Sequence, residues 1–411
     1  MNRRGFGMDF QLNAEEEAFR QEVREFLRQN WNTSGFDAHT LGVRGYDFDN
    51  PDSRAHDKEF IKKLVEKGWY TMAWPKEWGG MDAPVGMQMV YGQELSYADA
   101  PSGSPASNIT GAIMFHGDDN MKNRFLPRMA RAEIDWAQGF SEPNAGTDLA
   151  SLQTRGVEDG DDIVVTGQKI WSSGSHFADW DHVLVRTDPS APKHRGITYL
   201  AMQLKDEHGD QTPGVTLRPL YDFFGRRRWN EVFMDEVRVP KSMMIGEMNR
   251  GWYAAMTTLN FERTGGAAAS AGSLGALDRF IALMRRTKFE GVSPLKDPLV
   301  RHKLADLRMN LEVDRMLAYR VAWMQAKGEV PQAEGAISGY RSQVTAKFHT
   351  WPTLAKIIGD YSVLLKGESR APANGIYGTN NALAMTMGFG GGGGILLGPN
   401  IIAQRGLGLP R

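Results

Sequence analysis

The chain has 411 residues, 48 basic against 49 acidic side chains, and no cysteine. This length supports two or three domains with a large core. The balanced charge argues against nucleic acid or an acidic membrane surface as the main partner. The absence of cysteine excludes disulfides and thiolate chemistry. With no apolar run of membrane-span length and no metal site indicated, we expect a soluble, cytoplasmic protein.

The first 130 residues are predicted to be mostly helical. Asn13 and Glu16 have the spacing of a helix capping box, and apolar residues follow them at helical intervals. The predicted segments are a loop over 31–52, a helix over 57–67, a turn over 74–80, a helix over 85–98, a loop over 101–105 and further helix over 107–130.

From about residue 134 to 248 the apolar pattern changes to period two, with Gly and Pro between short β-branched runs. The clearest predicted strands are 183–187, 197–202, 214–217 and 231–234. Two further runs, 161–166 and 168–172, are predicted to form a hairpin around Gly167. This pattern favours a small β-barrel or sandwich.

After Gly251 the chain is predicted to be helical to about residue 365. The helical patterns cover 252–285, 299–327 and 334–365, with an interruption at Pro352. Residues 388–394 are glycine-rich and typical of a linker. The order of helices, strands and helices predicts an α+β chain with three domains, 1–133, 134–249 and 250–411.

Two segments of the β region, 136–148 and 167–174, stand out chemically. In the first, short hydroxyl side chains at Ser141 and Thr147 flank a turn. The second ends with Trp171 followed by two serines and a glycine. A flat aromatic beside small donors suits a flat ligand with polar edges, although an ordinary hairpin is the simpler interpretation of these residues alone.

The order and separation of these two segments resemble the signature segments of the acyl-CoA dehydrogenase flavoproteins. The resemblance covers nearly the whole chain, including the Trp-Pro-Lys-Glu-Trp-Gly-Gly turn at 74–80 and a closing helix at 400–411. It implies a four-helix-bundle C-terminal domain and FAD-dependent α,β-dehydrogenation of an acyl-CoA thioester to the trans-2-enoyl-CoA, in fatty acid or lipid catabolism. The implied partners are an electron-transfer flavoprotein and a homologous subunit in a homo- or hetero-tetramer.

The resemblance also implies roles for individual residues. Those matching the loop that lines the flavin ring and its pyrimidine edge are Phe140, Ser141, Gly146 and Thr147. Trp171 and Ser173 match the residues beside the ring and its N5. Arg286 and Phe289 match an element that reaches the pyrophosphate and adenine of a neighbouring subunit's FAD, although a cation ending a helix explains Arg286 equally well.

The reaction needs a base for a weakly acidic α proton, so a carboxylate in a dry pocket is expected. Many family members carry this base near the C-terminus, where this chain has Gly391. The isovaleryl- and long-chain-type members carry it as a Glu directly before an Arg on the first long C-terminal helix, and Glu262-Arg263 matches that arrangement. The resemblance therefore implies Glu262 as the base and Arg263 as a substrate-side residue.

Two alternatives for this carboxylate stay open. Helix geometry places Ala255 and Leu259 on the same side as Glu262, which suits a base beside small and apolar neighbours. A solvated or salt-bridged glutamate is the common fate of a helical Glu-Arg pair. The rival carboxylate, Glu368, is expected at the surface.

The sequence departs from the family pattern at two places. Residues 364–370 stand where the family has Gln-x-x-Gly-Gly-x-Gly, and Gly393-Gly394 replaces a Gly-Thr pair. The chain is therefore expected to keep the flavin-ring face but to contribute less to a neighbour's FAD, which favours a heteromer. A degenerate structural subunit and an oxygen-using oxidase or monooxygenase are the alternative functions.

Overall fold

The structure is a computed structural model that describes residues 11–31, 51–101, 107–262, 266–365, 368–387 and 394–410. The helices are α1 (Ala14–Asn30), α2 (Pro51–Glu66), α3 (Val85–Tyr97), α4 (Ser107–His116), α5 (Asp119–Ala130), α6 (Gly251–Glu262), α7 (Gly266–Arg286), α8 (Pro298–Ala326), α9 (Gln332–Val344), α10 (Trp351–Ile358), α11 (Ile376–Met387) and α12 (Gly394–Ile401). The strands are β1 (Trp136–Gly139), β2 (Arg155–Asp159), β3 (Asp162–Ser173), β4 (Trp180–Arg186), β5 (Ile197–Gln203), β6 (Val215–Tyr221) and β7 (Arg227–Pro240). This order confirms the predicted α+β fold class.

Backbone contacts divide the chain into two compact units. The helical unit consists of Met1–Arg44, Asp82–Ser102 and Arg263–Arg411, and the sheet unit of Gly45–Met81 and Gly103–Glu262. Helix α6 follows the strands in sequence, yet it belongs to the sheet unit. The contacts thus group segments by packing, and the division into 1–133, 134–249 and 250–411 stays a prediction.

In the sheet unit, the strands form one sheet in the order β1-β4-β2-β3-β7-β6, with β5 paired to β4. Strands β4 and β5 are almost completely buried, as expected for strands whose two faces are both covered. Helix α6 packs against α4 and against β5. Gly251 makes this approach possible, since a Cβ there would lie 2.3 Å from the Tyr199 backbone nitrogen.

In the helical unit, α7 packs against α3, α8 and α9, and α1 packs against α3. Its core is formed by apolar faces of α7 and α8 together with residues of α10 and α11; members include Leu274, Leu277, Phe280, Leu307 and Leu354. The predicted capping box is confirmed: Asn13 Oδ1 accepts from the Glu16 backbone at 2.9 Å, and Glu16 Oε2 accepts from the Asn13 backbone at 3.0 Å.

The predicted hairpin around Gly167 is wrong, because both of its halves belong to the single strand β3. The chain reverses earlier, at Gly160 (φ +61°), between β2 and β3. Gly167 (φ +155°) instead lies at an irregularity in the pairing of β3 with β7. Val165 pairs with Val237 and Gly167 pairs with Met234, so β7 contains one residue more than β3 over this stretch. The glycine serves a close approach to Thr154 within the strand, where a Cβ would lie 2.7 Å from Thr154 Oγ1, and it does not form a turn.

Several predicted helix limits also differ from the structure. Helix α2 begins at Pro51 rather than near 57, since proline suits the first turn of a helix; the rest of the predicted loop, 32–50, lies outside the described residues, as do 102–106. The 107–130 segment is two helices, because Asp118 caps a new one. The 252–285 pattern is two helices, α6 and α7. In the 334–365 pattern, a π-helical segment, Thr345–Thr350, precedes Pro352.

No helix within the described ranges is both long enough and apolar enough to cross a membrane. The same ranges contain no cluster of His, Cys, Asp and Glu side chains suited to a metal ion.

Candidate active site in the sheet unit

The structure brings the two motif segments into direct contact. Strand β1 ends at Gly139, and the next residues, Phe140 and Ser141, lie along β3. The Ile170 backbone N–H donates to the Ser141 carbonyl at 2.9 Å, and the Lys169 ammonium donates to the Phe140 carbonyl at 3.2 Å. Residues distant in sequence are therefore joined directly by hydrogen bonds.

A buried ion pair fixes the loop after β1. Lys169 Nζ lies 2.7 Å from Glu142 Oε1, and the side chain of Lys169 has no exposed surface. The Glu142 carboxylate also accepts from the backbone nitrogens of Gln153 and Thr154, at 2.6 and 2.8 Å. Since a buried charge needs several such partners, this arrangement holds the loop in one conformation.

Burial and pairing shift the pKa values of this ion pair. Burial lowers the pKa of Lys169 to about 8, although Glu142 opposes the shift. Burial alone would raise the pKa of Glu142, but the Lys169 charge and the hydrogen bonds outweigh it and lower that pKa. Both groups are therefore charged at neutral pH, as the loop geometry requires.

The turn itself closes between Glu142 and Ala145, whose backbones exchange hydrogen bonds of 3.0 and 3.1 Å. Beyond it, Gly146 and Thr147 are exposed. A Cβ built on Gly146 would meet no atom within 4 Å. The protein's own packing therefore does not require glycine here, and the loop leaves open space at its surface.

A β-bulge presents Trp171 to the outside of the sheet. Lys169 pairs with Val232 and Ser172 with Asn230, so β3 carries one residue more than β7 over this stretch. In regular alternation Trp171 would face inward like Lys169. The bulge instead buries Ser172 and leaves Trp171 55% exposed, at φ +62°. Such a backbone conformation costs about 1–3 kcal/mol and often occurs at functional sites.

Asn230 of β7 holds this bulge from within. Its side chain is fully buried, and its amide nitrogen lies 3.3 Å from the Ser172 carbonyl and 3.0 Å from His176 Nδ1. Its Oδ1 accepts from Arg227 Nε at 2.7 Å. The conformation of Trp171 is therefore determined by partners on the neighbouring strand, and the adjacent Ser173 is exposed.

A second polar cluster lies behind Phe140. Phe140 is 3% exposed, and its ring meets the rings of His182 and Tyr199 edge-on, at 5.3 and 5.7 Å between centroids. The Tyr199 hydroxyl lies 2.7 Å from His182 Nδ1 and 3.2 Å from Thr258 Oγ1. Burial lowers the pKa of His182 to about 3, so the imidazole is neutral at physiological pH.

The predicted base and its neighbour are only partly described. Glu262 is the last residue of α6, but its side chain and all of Arg263 lie outside the described residues. On the preceding turns of α6, Ala255 is fully buried and Leu259 packs against the core of the sheet unit. Glu368 is exposed, as expected. The assignments of Glu262 and Arg263 stay predictions.

The predicted adenine-side residues belong to the helical unit. Arg286 is the exposed last residue of α7. The ring of Phe289 is partly buried and lies 4.8 Å from that of Tyr361. The structure thus gives Phe289 a packing role within its own unit, and the role of both residues toward a neighbour's FAD stays a prediction.

Sequence reasoning missed the polar residues that support the site: Glu142, Lys169, His182, Tyr199, Asn230 and Thr258. A signal was present for two of them. Lys169 interrupts an apolar strand at an inward position, and His182 stands within the run of buried residues in β4. Charged or ionisable residues at such positions are buried and paired.

Three family models match the chain: "Acyl-CoA dehydrogenase, N-terminal domain" over residues 13–133, "middle domain" over 137–237 and "C-terminal domain" over 249–371. Acyl-CoA dehydrogenase IpdE1 of Mycobacterium tuberculosis is 30% identical, over 96% of this chain and 98% of that protein. The chain belongs to the acyl-CoA dehydrogenase family. It is an acyl-CoA dehydrogenase enzyme by this membership, and the family is one of FAD-binding flavoproteins.

Solved structures of the family agree with this assignment. A structure titled "Tcur3481-Tcur3483 steroid ACAD" superposes with a TM-score of 0.84 at 29% identity, over 98% of this chain and all of that one. The ChsE4-ChsE5 complex from Mycobacterium tuberculosis superposes with a TM-score of 0.79 at 28% identity, over 98% and 100%. A second relative, Acyl-CoA dehydrogenase FadE26 of that organism, is 31% identical over 86% of this chain and 88% of its own length.

Proposed function

We propose that this acyl-CoA dehydrogenase oxidises the α,β bond of a polycyclic, steroid-derived acyl-CoA to the trans-2-enoyl-CoA, with Glu262 as base and FAD as cofactor. The observation that carries the proposal is the joined loop and bulge. Ser141 and Ile170 share a backbone hydrogen bond, and the bulge turns Trp171 outward with Ser173 beside it in sequence. The Trp171 ring meets the Trp229 ring edge-on at 5.5 Å between centroids, yet more than half of the side chain stays exposed. An indole left exposed at a strained backbone position is typical of a binding surface.

These residues fit the isoalloxazine ring of FAD. The exposed face of Trp171 offers a flat contact, and the open surface at Gly146 leaves room for a ligand against the backbone. The hydroxyls of Ser141, Thr147 and Ser173 supply donors for the polar edge of the ring, where they would stabilise negative charge. When bound, FAD supplies the acceptor for the two electrons and the hydrogen that leave the β carbon.

The chain itself supplies the proton acceptor. Glu262 ends α6. On the two preceding turns Ala255 is buried and Leu259 packs against the core, and Thr258 is the buried polar residue there. Exclusion of water there would bring the basicity of a carboxylate closer to that needed for the α proton of a thioester. Arg263, next in sequence, is proposed to contact the substrate.

The test compares Glu262→Gln with the matched change Glu368→Gln, which alters an exposed glutamate. Loss of a general base should lower kcat by about 10²–10⁴-fold, whereas Glu368→Gln should leave it unchanged. FAD content, measured from the flavin absorbance of the purified protein, should be equal in both variants. Full turnover by Glu262→Gln would exclude Glu262 as the base.

The substrate class is proposed from the relatives, since one similar structure is titled a steroid ACAD. Turnover would be compared across thioesters of straight-chain, branched and steroid side-chain acids. We expect the highest kcat/KM for the polycyclic thioesters. A preference for straight chains would refute this part of the proposal and leave the dehydrogenation intact.

We also propose a homologous partner chain and an electron-transfer flavoprotein as acceptor. Two similar structures are titled as a pair of chains or a complex. This chain lacks the glutamine and most glycines of the segment, 364–370, that the family uses toward a neighbour's FAD. A partner of the same family would supply that segment.

The altered 364–370 segment also favours a second candidate, a structural subunit that leaves catalysis to its partner. In the co-expressed complex, Glu262→Gln would then have no effect on turnover, whereas a change of the partner's own base would abolish it.

The oxidase alternative has a separate test. An oxidase would keep turning over in air without an artificial electron acceptor, whereas a dehydrogenase should require the acceptor.

A further inference from the structure

The hydroxyl of Tyr199 lies between the two elements on which the proposed chemistry depends. On one side it contacts His182, whose ring packs edge-on against Phe140 of the flavin-facing loop. On the other side it contacts Thr258 of α6. His182, Tyr199 and Thr258 are 3%, 0% and 0% exposed. We name these three residues the buried polar chain.

Helix geometry relates the buried polar chain to the proposed base. Thr258 precedes Glu262 by four residues, so the two share one face of α6, one turn apart. The start of α6 is also held at Tyr199, because Gly251 packs against the Tyr199 backbone too closely for any Cβ. Tyr199 therefore contacts α6 at the first turn of the helix and again one turn before the helix ends.

Packing alone does not require polar groups at this position. Apart from the buried Asp181 beside His182, which acts electrostatically on Tyr199, the nearby core is apolar. Ala254, Ala255 and Leu200 are buried close by in sequence on α6 and β5. An apolar core could fill the same volume without the risk of unpaired polar atoms. Buried hydrogen bonds instead fix how a helix is rotated about its axis and how deeply it packs, and apolar contacts define both less sharply.

We infer that Tyr199 is a positioning residue, whose hydroxyl, joined to His182 and Thr258, sets the rotation of α6 and hence the place of Glu262 relative to the Phe140 loop. The inference rests on the proposed function. It assigns no proton transfer to Tyr199, since the residue has no exposed surface.

The experiment removes single hydroxyls with Tyr199→Phe and Thr258→Val in the co-expressed holoenzyme. The matched control is Thr71→Val, which also deletes a buried hydroxyl of the sheet unit, one that donates to the Gly79 carbonyl at 2.8 Å. The first readout is hydrogen–deuterium exchange of residues 251–262. We expect the backbone amides of α6 to exchange faster in Tyr199→Phe and Thr258→Val, and to exchange at the wild-type rate in Thr71→Val.

The second readout is kinetic. A small displacement of a catalytic group can cost up to about 10²-fold in rate. We therefore expect kcat to fall about 10-fold or more in Tyr199→Phe and Thr258→Val, with KM nearly constant. The pH profile of kcat should shift, because the surroundings of Glu262 change. Thr258→Ser, which restores the hydroxyl, should recover kcat. A purely structural role would lower the melting temperature without shifting the pH profile.

Failure of the inference and failure of the proposed function are distinguishable. If Glu262→Gln is inactive but Tyr199→Phe and Thr258→Val keep the wild-type kcat and the wild-type hydrogen–deuterium exchange of α6, the inference is overturned and the proposed function stands. If Glu262→Gln is fully active, the proposed base is wrong. Should Tyr199→Phe fail to fold, the comparison of Thr258→Val with Thr258→Ser decides the question alone.

Discussion

At the scale of single residues, the sheet unit is organised by ionisable groups that its interior holds in unusual states. Lys169 and Glu142 are buried as a charged pair that fixes the loop after β1. Asp181 and His182, adjacent on β4, are buried in their neutral forms over part of the pH range. Burial raises the pKa of Asp181 to about 7, which Lys169 and the Gly139 N–H only partly oppose.

Asp181→Asn should remove a pH dependence of stability. The ordinary pKa of this carboxyl is 3.8 and its folded value is about 7, so between these pH values the folded state keeps a proton that the unfolded state releases. The free energy of unfolding of the wild type therefore falls as pH rises from about 4 to 7, by up to about 1.4 kcal/mol per pH unit.

Urea denaturation at several pH values would measure this effect. The stability of Asp181→Asn relative to the wild type should grow across that window and then level off above about pH 7. The exposed Asp210 provides the control variant, Asp210→Asn. A difference between Asp181→Asn and the wild type that does not change with pH would contradict the prediction.

At the scale of elements, β3 shows how two irregularities build a site from one strand. At Gly167 the partner strand carries the extra residue, and near Trp171 β3 itself carries it. The first lets β3 pass close to Thr154, and the second exchanges the inward and outward positions so that Trp171 faces out. A regular strand would have buried Trp171 and exposed Ser172.

Gly167→Ala should destabilise the protein more than Gly209→Ala. Both glycines have positive φ, but a Cβ at Gly167 would lie 2.7 Å from Thr154 Oγ1, whereas a Cβ at Gly209 would meet nothing within 4 Å. The overpacking should add about 1–3 kcal/mol to the loss of stability. Melting temperatures of the two variants would measure this, and equal shifts would show that the contact with Thr154 relaxes freely.

At the scale of the whole molecule, the chain consists of two units whose composition does not follow the sequence order. Helix α6 belongs to the sheet unit, although it begins the C-terminal helical segment. The residue proposed as base is therefore attached to the same unit as the residues proposed to contact the flavin ring. The residues proposed to reach a neighbour's FAD, Arg286 and Phe289, belong to the helical unit.

Stabilisation by FAD should depend on the partner chain. A ligand at 100 times its Kd stabilises the folded state by about 2.7 kcal/mol, so added FAD should raise the melting temperature of the co-expressed complex clearly. The isolated chain, which lacks the family's 364–370 pattern, should show a much smaller rise and purify with little flavin. An equal rise without any partner would indicate that this chain completes its own site.

The sequence by itself determined the fold class, the order of helices and strands and the two motif segments, because hydrophobic periodicity and turn chemistry are local properties. Apolar spacing identified α8 and the strands β4 and β5, and Asn13 and Glu16 identified the start of α1. Only the tertiary structure decided that Gly167 lies within a strand, that Trp171 faces outward, and that Lys169, Tyr199 and Thr258 join segments far apart in the chain. Those features depend on register between strands and on contacts across the core, which no local pattern encodes.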